Sequence, residues 1–278
     1  MKPAMTVLAA LVVLASAGPA LAAGEDCPRP PLPFSLDEAV WSRLEGSQAY
    51  RNSPATAGLD LDFQKVTVTA GRRFRNENAE AHHIEFRAPT PCIVLKRTRL
   101  TLSGSSMIVL GPTTTTGPST SDFQSWSALG GLVELGSTSG GAVTSRLEEI
   151  LDLSGSLFPP RAGAEVHVAT RFAVSGKSFN SDITCRMAEA RPAAAMDARL
   201  TGKAWPVTCE SPGRPAAEDA WLEDLGLFRS RLEQVVSDGG QGFRMVIPTP
   251  GLAVSSTVPA VRASNTETFT QYDWRRAP

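Results

Sequence analysis

The sequence predicts a mostly β fold: an antiparallel, β-sandwich-like arrangement with a short N-terminal helix. Apolar and polar residues alternate with a period of two in several segments, and Gly, Pro, Ser and Thr cluster between them. The four cysteines of the chain follow an export signal, which predicts disulfide bonds. A chain of 278 residues can bury the core of one large β module or of two small ones.

The first 22 residues have the pattern of a signal peptide. Lys2 precedes an apolar run over residues 5–17, and residues 20–22 (ALA) form an A-x-A cleavage motif. The run is shorter than the roughly 20 residues that span a bilayer, and no longer apolar run follows. We therefore expect a periplasmic or secreted protein with no transmembrane segment after signal cleavage.

Residues 23–56 form a Pro-rich lead-in followed by a short helix. Prolines make residues 28–33 stiff and extended. Ser35 and Glu38 have the spacing of a capping box, in which the Ser35 hydroxyl caps the Glu38 amide. Apolar residues then share one helical face (Leu36, Val40 and Leu44). The pattern predicts a helix over residues 36–46.

Residues 57–152 are predicted to form a β module with Ser/Thr/Gly-rich loops. Alternation over residues 66–70, 82–88 and 92–102 predicts strands, and His83, Glu85 and Arg87 share one face of the second. Residues 111–121 and 136–141 are so rich in Thr, Ser and Gly that we expect disordered loops there.

Residues 153–278 are predicted to form a second β module with a disulfide. Alternation is clearest over residues 165–174 and returns over residues 182–187 and 205–210. Residues 216–237 have partly helical spacing, which favours a helix or helical turn followed by a strand. Three more strands are expected at residues 243–247, 252–261 and 266–274.

The four cysteines, Cys27, Cys92, Cys185 and Cys209, predict two disulfides with three possible pairings. A four-thiolate metal site is the competing interpretation, but the chain has no C-x-x-C pair. Cys185 and Cys209 lie on apolar faces of predicted strands, which favours their pairing and leaves Cys27 for Cys92. This pairing requires residues 190–203 to be a loop or insertion, because a simple hairpin would place Cys185 opposite a residue near Leu200.

Three histidines, His82, His83 and His167, limit the metal chemistry that the sequence can support. His82 and His83 are adjacent on a strand and therefore face opposite ways. One of them could bind a metal with His167 and a carboxylate such as Glu85 or Glu165. The favoured interpretation is that the histidines are structural, so we predict no metal site and no cofactor.

No catalytic motif is complete. Asp60 and Asp62 share a strand face, as a glycosidase pair would, but carboxylates this close are common on solvated edges. Residues 136–140 nearly match the G-x-S-x-G elbow, with Thr138 in place of serine. Trp126, within a Ser-rich segment, is either an exposed ligand contact or the apolar anchor of a loop, and the anchor is favoured.

Charge and the missing motifs together shape the functional prediction. The formal net charge is −1 and no dense basic cluster occurs, so we expect no nucleic-acid partner. We predict a non-enzymatic cell-envelope protein that binds a partner protein, a glycan or another ligand. The alternative is a hydrolase of cell-envelope or extracellular polymers, which a cleft with two carboxyl groups roughly 5–10 Å apart would favour.

Overall fold

The computed structural model describes residues 27–70, 74–108, 113–196, 200–232, 234–237, 243–246, 256–263 and 266–275. The predicted signal peptide lies outside these residues. The fold is mostly antiparallel β with few helices, one of them short and near the N-terminus, which confirms the predicted fold class. None of the helices in the described residues has the length and apolar character needed to cross a membrane.

Two short helices follow the Pro-rich lead-in: α1 (Glu38–Gly46) and α2 (Gln48–Arg51). The predicted capping box is wrong, because α1 begins after Asp37, whose carboxylate accepts the amide of Ala39 at 2.8 Å. Ser47 ends α1 and caps α2, since its hydroxyl accepts the amide of Tyr50 at 3.1 Å. The apolar faces of both helices are buried against the sheet, as the helical spacing predicts.

The strands run from residue 59 almost to the end of the chain. Twelve strands precede a helical turn α3 (Arg229–Leu232), and four follow it. In chain order they are β1 (Leu59–Ala70), β2 (Phe74–Thr90), β3 (Ile93–Ile108), β4 (Thr113–Ala128), β5 (Val133–Ser139), β6 (Ala142–Ser156), β7 (Glu165–Val174), β8 (Lys177–Met187), β9 (Arg191–Pro192), β10 (Lys203–Glu210), β11 (Ala217–Leu222), β12 (Leu227–Phe228), β13 (Gln234–Ser237), β14 (Phe243–Val246), β15 (Ser256–Ala263) and β16 (Thr266–Arg275).

Fourteen of these strands form one antiparallel sheet in the order β12-β11-β10-β8-β7-β6-β5-β4-β3-β2-β1-β16-β15, with β9 paired to β10. Most neighbours are also consecutive in the chain, which is the pattern of a meander; β16 instead returns to pair with β1. The predicted module boundary between residues 152 and 153 lies inside β6, which pairs with both β5 and β7. Both predicted modules therefore contribute strands to the same sheet.

The sheet curls around two apolar cores. In the main core, residues of α1 and α2 such as Trp41 and Tyr50 pack with the strands from β3 to β11. In the second core, Leu59 and Phe86 from β1 and β2 pack against strands β10 to β12. Strands far apart in the sheet order thus face each other, which gives the sandwich-like layering that the sequence predicts.

Strand β11 is the clearest sign of this curling, because both faces are buried at its C-terminal end. Trp221 belongs to the main core, where its ring contacts those of Phe158 and Phe228 at centroid distances of 4.7 and 5.1 Å. The next residue, Leu222, belongs to the second core. Gly130, with φ +66°, lies against Trp221, and an added Cβ would be 2.2 Å from its ring. Only glycine fits this close approach.

The structure corrects the prediction of disordered loops. Thr113 to Ser121 belong to β4, which pairs with β3, and residues 111 and 112 lie outside the described residues. Threonine is β-branched and favours the extended backbone, so pairing with β3 is enough to order a segment without an apolar pattern. Residues 136–139 are likewise part of β5, and only Gly140 and Gly141 form the turn.

Residues 216–237 also differ from the prediction. Strands β11 and β12 come first, and the sequence does not predict them; the predicted helical turn and strand follow only at the end of the segment, as α3 and β13. Trp221 pairs with Trp205 of β10, and Gly226, with φ +61°, lies in the turn between β11 and β12. The glycine that interrupts the helical spacing is therefore a hairpin turn residue.

Two disulfides, Cys27–Cys92 and Cys185–Cys209, join the same pairs that the sequence favours. Cys185 of β8 lies directly opposite Cys209 of β10, with their Cα atoms 4.0 Å apart. The residues between these two strands include β9 and a turn of 3-10 helix at Ala193–Ala195, which is the insertion that this pairing requires. Cys27 attaches the Pro-rich lead-in to the residue just before β3.

Candidate functional site

The structure does not bring His83 and His167 together. His83 lies on β2 and His167 on β7, and strands β3 to β6 separate them in the sheet. Glu165 forms a salt bridge with Arg186 at 2.6 Å. Among the described residues, the group of converging donor atoms includes His83 but not His167, so the mixed site considered from the sequence is not formed. Each histidine has its own carboxylate neighbours.

One candidate for a binding site is an open cavity of about 400 Å³. Three segments that are distant in the chain form its wall: the residues just before α1, the start of β6, and the end of β7 with the turn that follows it. The residues that characterise it are Phe34, Ser35, Val143, Thr144, Arg146 and Ser175. Its volume lies within the range of about 300–1,000 Å³ that small-molecule sites occupy.

Phe34 shapes one side of the cavity. Its ring packs edge-on against Trp126 of β4, with 5.5 Å between the ring centroids. Gly136 of β5 makes room for it, because a Cβ there would lie 2.6 Å from the Phe34 ring. Trp126 is only 4 % exposed, so its ring anchors the wall and does not itself present a ligand-binding face. This agrees with the sequence interpretation of Trp126 as an apolar anchor.

A chain of hydroxyl groups runs from the cavity wall to Glu134, which lies behind it. The Ser145 hydroxyl donates to the Glu134 carboxylate at 2.5 Å, and the Ser137 oxygen lies 2.6 Å from that of Ser145 and 2.9 Å from that of Thr144. Ser145 is buried, so this network fixes the orientation of hydroxyl groups at the wall. Thr144 and Ser145 themselves line the cavity.

Arg146 gives the cavity a positive charge. Its side chain is exposed, and among the described residues it takes part in no hydrogen bond or salt bridge. The cavity lining in the described structure contains neither a carboxylate nor a histidine; Glu134 lies behind Ser145 and is not part of the lining. The lining therefore combines hydroxyl-bearing residues and one arginine with the apolar residues Phe34 and Val143, a composition that suits a polar, anionic molecule.

A second cluster lies on β1 and β2, where the ligand atoms of Asp60, His83 and Glu85 all fall within 4.8 Å of one another. Among the described residues, this group alone has the geometry of a metal site. Asp60 also forms a salt bridge with Arg87 at 2.6 Å. The Asp60/Asp62 glycosidase pair considered from the sequence stays a prediction, because the Asp62 side chain lies outside the described part of the structure.

A third cluster surrounds His167. Its Nδ1 atom lies 2.6 Å from Asp152 Oδ2 and its Nε2 atom 3.0 Å from Asp182 Oδ1. The hydrogen bond with Asp152, and then that with Asp182, raises the pKa of His167 above its ordinary value. The same contact with His167 lowers the pKa of Asp152. The two carboxylates on the protein surface therefore favour the protonated form of His167.

The residues of the cavity escape sequence reasoning, because Phe34, Thr144 and Ser175 meet only through the fold. Glu85, in contrast, could be placed near His83 from the sequence, since its i+2 spacing from His83 puts both residues on one strand face.

No protein-family model matches the chain, and comparison with curated proteins and with solved structures finds no match. The function is therefore inferred from the geometry of the sites.

Proposed function

We propose that the protein is an exported, non-enzymatic binding protein of the cell envelope, and that the cavity beside Phe34 holds its ligand. The signal pattern of residues 1–22 and the two disulfides support export, because disulfides persist in oxidising compartments. The ligand that fits best is a small glycan bearing a carboxylate or another anionic group.

One observation carries this proposal: the lining combines oriented hydroxyl groups with the unpaired guanidinium of Arg146. Hydroxyl groups of Ser and Thr both donate and accept hydrogen bonds, so they match the hydroxyl groups of a sugar. A guanidinium binds a carboxylate through two parallel hydrogen bonds. The Phe34 ring offers apolar surface to the C–H groups of the sugar.

The same lining supports binding over hydrolysis. A glycosidase places two carboxyl groups roughly 5–10 Å apart on either side of the bond that it cleaves. No carboxylate belongs to the cavity lining in the described residues, and the nearby Glu134 accepts a hydrogen bond from Ser145. Ser145 also has no histidine among the lining residues to act as its general base.

The test is binding of a panel of uronic-acid and neutral oligosaccharides, measured by isothermal titration calorimetry on the mature protein. We expect selective binding of acidic members. Arg146→Ala should weaken it about 10- to 100-fold, because a charge-assisted hydrogen bond contributes about 1.5–3 kcal/mol.

Arg171→Ala is the matched control. Arg171 is also an arginine of this region, on β7, but it pairs with Glu149 at 2.9 Å and does not line the cavity. It should leave binding unchanged. Equal loss in both variants, or no difference between acidic and neutral sugars, would contradict the proposal. Release of shorter sugars during the titration would instead identify a hydrolase.

A further inference from the structure

The second cluster begins with the register of β1 and β2. Asp60 lies directly opposite Glu85, and His83 is two residues from Glu85 along β2. Cross-strand partners and i+2 neighbours share one face of a sheet, so the pairing brings the three side chains together. The same register places Asp62 opposite His83. On the other face of the same strands, Leu59, Ile84 and Phe86 are buried in the second core, which makes this part of the sheet rigid.

The distance between His83 and Glu85 matches that between two ligands of a tetrahedral metal ion. His83 Nε2 and Glu85 Oε1 are 3.2 Å apart. Two ligand atoms bound to Zn²⁺ at about 2.0–2.1 Å in a tetrahedral arrangement are separated by about 3.3 Å. The ligand atom of Asp60 lies within 4.8 Å of both, so a small side-chain rotation completes a three-ligand set.

Two arginines, Arg87 and Arg97, contact the carboxylates of this cluster. Arg87 donates to the carbonyl oxygens of Leu59 and Phe86 at 3.3 and 2.9 Å, and lies 2.6 Å from Asp60 Oδ1. The backbone therefore fixes Arg87 independently of Asp60. Arg97 approaches Oε2 of Glu85, at 3.8 Å, whereas the other oxygen faces His83. Metal-binding carboxylates are commonly held in this way by outer hydrogen bonds.

We infer that Asp60, His83 and Glu85 form a binding site for a divalent transition-metal ion, with Zn²⁺ the best match. An imidazole nitrogen combined with carboxylate oxygens suits zinc, whereas Ca²⁺ and Mg²⁺ prefer oxygen ligands alone. Bound there, the ion links β1 to β2 at the edge of the second core. This inference does not depend on the cavity beside Phe34.

The test uses the mature, disulfide-bonded protein after treatment with a chelator. Titration with ZnCl₂ alone, followed by calorimetry, should show one binding event per chain, and thermal unfolding should shift to higher temperature with zinc. CaCl₂ and MgCl₂ serve as comparison ions. His83→Ala should weaken zinc binding at least about 10-fold, since loss of even an outer-shell partner costs that much.

His82→Ala is the matched control, because it removes the neighbouring histidine on the opposite face of β2. It should bind zinc like the wild type. Glu85→Gln, which keeps the shape of the side chain, provides a second test if His83→Ala fails to fold. Absence of a zinc-dependent shift in the wild type overturns the inference, as does equal loss in the His82 and His83 variants. An equal response to Ca²⁺ overturns the assignment to a transition metal.

Discussion

Two clusters in this sheet contain the same groups, one histidine and two carboxylates, and differ in where these groups point. On β1 and β2, the donor atoms of Asp60, His83 and Glu85 converge within 4.8 Å. On β6 to β8, His167 lies between Asp152 and Asp182 and contacts each with a different ring nitrogen. The first arrangement can chelate an ion, and the second stabilises a protonated imidazole.

Strand register explains this difference. Glu85 is on the same strand as His83, and Asp60 is opposite Glu85, so both carboxylates lie toward one side of the imidazole. Asp152 and Asp182 are instead both opposite Ala169, one on each neighbouring strand. A central histidine two residues from Ala169 then has a carboxylate on either flank. One imidazole and two carboxylates thus meet in different geometries because the strand pairing differs.

The largest effects on the free energy of unfolding should come from removing the two disulfides. Replacing Cys27 and Cys92 together by serine should lower the free energy of unfolding by about 4 kcal/mol, and replacing Cys185 and Cys209 by about 3 kcal/mol. The first bond closes a sequence separation of 65 residues and the second one of 24, so the first restricts the unfolded chain more. Urea unfolding measures both values.

The intact masses of the wild type and both double variants, measured without reductant, provide the control that each remaining bond has formed. Unfolding curves that coincide with the wild type would contradict the stabilising role. A larger loss for the Cys185 and Cys209 variant would show that local packing between β8 and β10 outweighs the entropy of the unfolded chain.

The next largest effect is on zinc binding, which should distinguish the two histidine clusters. His167→Asn should leave zinc binding intact, whereas His83→Asn should weaken it at least about 10-fold, because among the described residues the donors converge in the His83 cluster alone. At a zinc concentration of 100 times Kd, the wild type and the His167 variant should gain about 2.7 kcal/mol of stability. Thermal unfolding with and without zinc measures the difference. If the zinc response disappeared in the His167 variant, zinc binding would have to be assigned to the His167 cluster instead of the His83 cluster.

Much of the fold is predictable wherever one face of a strand is buried and the other is solvated. Residues 165–174 are such a case: the predicted strand has the bounds of β7 itself. The disulfide of Cys185 and Cys209 follows from the same alternation, which places both on apolar faces. Alternation is reliable there because side-chain direction has a period of two.

The segments that the sequence predicts wrongly lack this one-sided burial. In β11, Trp221 and Leu222 face two different cores, so the apolar pattern loses its alternation. In the outer part of β4, residues 113–123 are exposed, and pairing with β3 supplies the order. For the metal site, the i+2 spacing predicts that Glu85 lies near His83, but the position of Asp60 follows only from the register of β1 with β2. The cavity could not be predicted, because its lining comes from three segments that are distant in the chain.

The smallest effect is the pH dependence of stability that comes from the protonation of His167. The pKa of His167 is raised above its ordinary value of 6.5, so its contribution to stability is complete below that pH and is lost as the pH rises through the folded-state pKa. The pKa of Asp152 is lowered, so its contribution is present above its ordinary value of 3.8 and is lost as the pH falls below that value. The cluster therefore stabilises the fold most between these two values.

His167→Gln should accordingly destabilise the protein more at pH 5.5 than at pH 9, as measured by the shift in Tm relative to the wild type. The cluster is exposed, and surface ion pairs contribute about 0–1 kcal/mol, so the shift amounts to a few degrees at most and should shrink in 1 M NaCl. His82→Gln is the control, because His82 lies outside this cluster. A shift in Tm that is independent of pH would show that His167 acts through packing. The difference between the His167 and His83 clusters would then rest on metal binding alone.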